Sequence, residues 1–185
     1  MESRDPIHFN VYILIDVDDI VNDKTLFDKD KTLAKKSDIA SHVWVAVYKN
    51  KNGSETFTTF KGSQTIKLDD ARLKDEVQFK ASSIMQEPQE YKILLHSYEK
   101  LKNSESNENM RDPEFMDVSS TQVSLLASGQ PKLSTVVHTN YWNTTHIVPG
   151  QPGDFRCIFE IYDKKGASVG FCAWKHKIQS GDQTA

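Results

Sequence analysis

The hydrophobic pattern of the chain has a period of two, cleanest between Phe155 and His176. There Cys157, Phe159 and Ile161 alternate with Arg156, Glu160 and Tyr162. After a polar break, Val169, Phe171 and Ala173 alternate with Gly170, Cys172 and Trp174. Aromatic and β-branched residues in this rhythm mark half-buried strands. The break, Asp163-Lys164-Lys165-Gly166, ends in the residue that best tolerates a left-handed backbone. The stretch therefore predicts a β-hairpin closed by a type I turn and a left-handed glycine.

The same reading predicts strands at His8–Val17, Ser41–Tyr48, Glu55–Phe60, Thr65–Leu68, Glu76–Ala81, Glu90–Tyr98, Val118–Leu126 and Leu133–Trp142. The first two are apolar on both parities, which predicts burial on both faces. Glu76–Ala81 alternates cleanly, as an antiparallel strand with one wet face does. Asn52-Gly53 reads as a hairpin turn. Residues 22–40 and 100–116 read as mobile polar loops, the first with room for one helical turn, and the tail 180–185 as frayed. Nine or ten short strands, little or no helix and two long connections predict one domain over 1–185. The expected fold is an all-β, antiparallel Greek-key β-sandwich.

Composition narrows the function more than it names it. Charged residues make up 26% and hydrophobic ones 37%, the balance of a soluble globular chain. No apolar run approaches the roughly 20 residues that span a bilayer, so no membrane partner is expected. The start, MESRDPIHFN, lacks the apolar core of a secretory signal, so the expected location is cytoplasmic. A net charge of −3 with interspersed signs argues against a nucleic-acid partner. Two cysteines are too few for a disulfide framework or a Cys-rich zinc site. Cys157 and Cys172 lie on the two arms of one hairpin, where buried thiols are expected in a reducing compartment.

Two groups of residues carry candidate chemistry. Asp16, Asp18 and Asp19 are the densest carboxylates, a possible calcium site or a solvated strand end; the spacing is not that of an EF-hand. Tyr141, Trp142, Asn143 and Trp174 combine stacking faces with polar groups, as carbohydrate sites do; the competing reading is a pair of core indoles with satisfied N–H groups. His146 and His176 lie near this second group. The six histidines show no metal-binding spacing, and no P-loop, dinucleotide fingerprint or nucleophile elbow is present. No catalytic residue and no cofactor other than calcium is expected.

Three motifs resemble the PixA/AidA inclusion-body protein family. They are Val11-Tyr12-Ile13-Leu14-Ile15-Asp16-Val17, then Lys74-Asp75-Glu76-Val77-Gln78-Phe79 with Ser82-Ser83-Ile84, and finally Phe159-Glu160-Ile161-Tyr162-Asp163 with Gly170-Phe171-Cys172-Ala173-Trp174. Lys74 replaces an expected Gly, and Lys175-His176 follow the tryptophan where the family has Asp-Pro, so the chain resembles a divergent member. The resemblance implies a non-enzymatic β-sandwich protein of a host-associated bacterium, deposited in cytoplasmic inclusions. The expected partner is another copy of the chain. A lectin-like module that binds glycans is the alternative, and an enzyme is third.

Overall fold

The computed structural model describes residues 7–51, 54–71, 75–84, 90–101 and 153–181, together with the backbone of 114–125 and 131–144. Among the described residues, ten strands form two sheets. The order is β1 (His8–Ile15), β2 (Val43–Lys51), β3 (Ser54–Lys61), β4 (Ile66–Leu68), β5 (Glu76–Ser83), β6 (Tyr91–Lys100), β7 (Glu114–Leu125), β8 (Pro131–Thr144), β9 (Gly153–Asp163) and β10 (Ser168–Ser180). One sheet runs β3-β2-β1-β5-β8-β7 and the other β4-β10-β9-β6. Each strand overlaps a stretch that the sequence predicts as a strand.

The sheets are mixed rather than antiparallel. β1 pairs parallel with β5, and β4 pairs parallel with β10. Side-chain alternation does not encode pairing direction, because a strand with one wet face looks the same beside either kind of neighbour.

The core lies between the sheets. Phe9, Val11, Ile13 and Ile15 of β1 and Val77 and Phe79 of β5 meet Phe155, Phe159 and Ile161 of β9 and Trp174 of β10 in one buried cluster. Burial on both faces of β1 is not what the structure shows. The other parity of this strand faces out, with Tyr12 39% exposed. β2 buries Val43, Val45 and Val47, and on its other parity it buries Ala46 and leaves Trp44 39% exposed.

The β9–β10 hairpin closes as its sequence predicts. Gly166 sits at φ +81°, and Asp163 Oδ1 accepts hydrogen bonds from the amides of Lys165 and Ala167, both at 2.9 Å. Its two cysteines are buried and free but not opposed: Cys157 is paired with Trp174, and Cys172 with Phe159.

Residues 22–40, read from the sequence as a polar loop with room for one helical turn, belong to a strap over 17–42 that holds more than one turn. The strap contains α1 (Val17–Asn22), α2 (Lys31–Ala34) and a 3₁₀ turn, Ala40–His42. Asp28 exchanges two backbone hydrogen bonds with Phe171, and the Ile39 amide donates to the Ala173 carbonyl. The segment thereby pairs with the stretch of β10 that the three-residue β4 leaves open. Lys31 of α2 and Lys35, its C-cap, then reach His96 and Glu99 of β6 at 3.2 and 2.7 Å. The strap covers the second sheet, and Ile158 and Ala173 are buried as a result.

The Asn52-Gly53 turn, residues 102–113 of the second long loop, and 182–185 of the tail lie outside the described residues. Among the described residues no helix is long and apolar enough to cross a membrane.

Candidate functional site

The three aspartates stand where β1 hands over to α1. Asp16 is the N-cap of that helix and accepts from the Asp19 amide at 3.3 Å, while Asp18 and Asp19 occupy the first turn. Carboxylates are favoured there because the unpaired amides of a helix start carry partial positive charge. Partial burial, and then the charges of Asp16, Glu90 and Asp19, raise the Asp18 carboxyl above its ordinary range. Among the described residues no group of three or more His, Cys, Asp or Glu is gathered to hold a metal ion. A helix N-terminus accounts for the cluster.

Trp174 is not a ligand platform. It is fully buried, and its indole N–H donates to the Gly62 carbonyl at 2.8 Å, so it offers no face to a sugar. Gly62 makes this approach possible. Its amide donates to Val43 in the other sheet, and a Cβ there would collide with the Ala40 carbonyl oxygen and lie 2.8 Å from Val43 Cβ. The backbone of Tyr141, Trp142 and Asn143 lies in β8, where Trp142 and Asn143 pair with Phe79 and Gln78. Their side chains, and all of His146, lie outside the described residues.

His176 is the polar residue that the core absorbs. Its ring stacks on Trp174 with centroids 4.0 Å apart, and its Nε2 shares a 2.7 Å hydrogen bond with the buried Tyr98 hydroxyl. Burial pushes its pKa down to about 3, against a smaller upward pull from the Trp174 backbone, so the imidazole is neutral at physiological pH. A cleft of about 350 Å³ opens beside it, walled by the Gly62–Thr65 turn, Asp154, Lys175 and Lys177. That volume is at the small end for ligand pockets. The arrangement does not assemble a nucleophile with a base. Burial raises both thiols far above the range in which a cysteine reacts, and His176 is held between Trp174 and Phe155.

The surface that stands out is the outer face and free edge of the six-stranded sheet. β3 forms that edge and is exposed at every position except Phe60, with Phe57 65% exposed. Its register with β2 runs unbroken from Trp44↔Lys61 to Lys51↔Ser54, with no bulge. The other sheet is guarded. The strap covers one edge, and β6 on the other carries a register shift between Leu95 and Ser97 and an ion pair from Glu99 to Lys35. Bulges, charges and covering segments are how sheets blunt unwanted pairing, and β3 has none along its middle. On the outer face, Phe57 pairs across from Tyr48, while Tyr12 and Trp44 follow on β1 and β2. These residues were missed by the sequence reading, although the signal was present. Beside Leu14 and Ala46, the second parity of β1 and β2 carries Tyr12, Trp44 and Tyr48, large aromatics whose polar atoms tolerate partial exposure.

The family model described as "PixA: Inclusion body protein" matches residues 7–180. Among solved structures, the chain is similar to the crystal structure of a PixA inclusion body protein from Burkholderia cenocepacia. That similarity has a TM-score of 0.61 and covers 97% of this chain and 98% of that one at 12% identity. No curated protein matches the sequence.

Proposed function

The chain belongs to the PixA inclusion body protein family, and from that premise we propose that its activity is self-association. In this reading it is a non-enzymatic protein of a host-associated bacterium that collects in cytoplasmic inclusions by pairing at the open edge of β3. The carrying observation is that edge: eight residues, unbulged and exposed, reading SETFTTFK with charge only toward its ends. A free edge presents unpaired amides and carbonyls, and Thr and Phe favour the extended backbone that a second strand requires.

Thr58 sits mid-strand on the parity of Phe60, opposite Val47, and it is exposed. Two copies of β3 meeting antiparallel would bring their Thr58 positions close together. Thr58→Lys therefore sets like charges against each other and is expected to lower assembly with unchanged circular dichroism. Sedimentation velocity across a concentration series reads this, together with inclusion counts in expressing cells. A wild-type protein that stays monomeric at the highest concentrations and forms no inclusions would refute the reading.

A further inference from the structure

We propose that the outer face of the six-stranded sheet is a second self-association surface, and that its occupant is the same face of another copy related by a two-fold axis perpendicular to the strands. The inference rests on the self-association reading and deepens it. An isologous edge contact closes at two copies, so an inclusion needs a second, independent contact to grow.

The argument comes from register. Aligning β3, β2, β1 and β5 through their pairings sets Glu55 and Glu76 in one end row of the face. Lys61 stands in the opposite end row, and Lys80 one row in from it. Phe57, Tyr48 and Tyr12 occupy the two rows between these ends, and Trp44 shares the end row of Lys61. On β3 and β2 the face thus carries Glu55 at one end, Lys61 at the other and the rings of Phe57 and Tyr48 between them, while on β5 Glu76 is paired with His8 of β1 at 3.1 Å.

A two-fold axis in the plane of the face and across the strands reverses strand direction but keeps strand order. It therefore lays the Glu55 end over the partner's Lys61 end, on β3 in both copies. On β5 it brings Glu76 toward the partner's Lys80. In the middle rows the same operation sets Tyr48 over Ala46 and Phe57 over Thr59, large against small. A two-fold axis along the strands would instead place acid on acid. Charge complementarity selects one of the two arrangements.

The two outer faces of the molecule differ as this assignment requires. The four-stranded sheet is crossed by α2 and by ion pairs from Lys35 and Arg156 to Glu99, so it has no bare apolar surface of this kind among its described residues. On the six-stranded sheet, Tyr12, Trp44 and Phe57 are 39%, 39% and 65% exposed. Four strands about 4.8 Å apart and eight residues long cover a projected area on the order of 500 Å². That is below the roughly 800 Å² per partner of a standard stable interface. The contact is therefore expected at the protein concentrations of an inclusion and to be weak in dilute solution.

The test separates this surface from the edge. All variants carry Thr58→Lys, which is expected to weaken edge pairing and stands on the parity opposite to the outer face. One adds Lys61→Glu and Lys80→Glu, and the other adds Glu55→Lys and Glu76→Lys. The Thr58→Lys parent is expected to dimerise at high concentration. Each charge-reversed variant is expected to weaken that dimer by about tenfold or more, while an equimolar mixture of the two recovers it as a heterodimer. Circular dichroism and thermal melts identify any variant that has simply lost its fold, and Lys61→Met with Lys80→Met then replaces the reversed pair. A monomeric parent, or a mixture no tighter than its components, overturns the proposal even if wild-type protein still assembles through its edge. So does retention on a glycan column that Trp44→Ala abolishes while both charge-reversed variants dimerise as the parent does.

Discussion

Trp174 shows how one residue ties the two sheets together. Its ring fills the core, and its N–H reaches across to the Gly62 carbonyl at 2.8 Å, next to the start of β2. Trp174→Phe keeps most of the volume but leaves that carbonyl without its donor, and is expected to cost about 1–3 kcal/mol. Trp174→Ala adds a large cavity and is expected to cost about 3–5 kcal/mol. Urea unfolding of both variants checks the order. The neighbouring His176 links stability to pH. Its folded pKa, about 3, lies below its ordinary 6.5, so below pH 6.5 the unfolded chain binds a proton that the folded one refuses. Stability is expected to fall as pH drops from 6.5 toward 3. Burial holds Cys157 above 9.0 and Tyr98 above 10.0, so at higher pH the unfolded chain loses protons that the folded one keeps. Stability then falls again above about pH 9. Thermal melts from pH 4 to 10 are expected to show a plateau between these limits, and His176→Gln is expected to flatten its acid side.

At the scale of single elements, local signals decided what forms and distant ones decided what pairs. Asp163 and Gly166 close the β9–β10 hairpin with bonds internal to the turn, which is why four residues sufficed to predict it. Gly166 has nothing within 4 Å of where a Cβ would stand, so Gly166→Ala meets only the cost of its positive φ. It is expected to lose about 1 kcal/mol, readable by urea unfolding. The α1 cap is equally local, with Asp16 accepting from Asp19 three residues on, yet the helix is only six residues long. So short a helix offers almost no apolar periodicity, and Val17 and Ile20 are its only buried residues. The β1–β5 pair is the opposite case. Some sixty residues separate the two strands, and nothing in either alternation states that they run parallel.

For the molecule as a whole, the two sheets differ most in how their edges and outer faces are finished. The strap of residues 17–42 closes the four-stranded sheet by bonding to Phe171 and Ala173 across more than 130 residues of chain. The six-stranded sheet keeps an open β3 and an aromatic outer face. This asymmetry is what the proposed self-association through two surfaces requires, and it motivates both tests.

The sequence by itself determined the positions of the strands, the hairpin turn, the core parity of β5 and β9, and membership of an inclusion-body family through short motifs along the chain. Each of these depends on residues close together in the chain, where side-chain period and turn chemistry act directly. Tertiary structure alone decided that Trp174 and His176 are core rather than site, and that Tyr12, Trp44 and Phe57 share one exposed face. Those outcomes depend on which strand lies beside which, and on what the strap covers. A period of two says that a strand has two faces; only the neighbours of that strand say which face meets water.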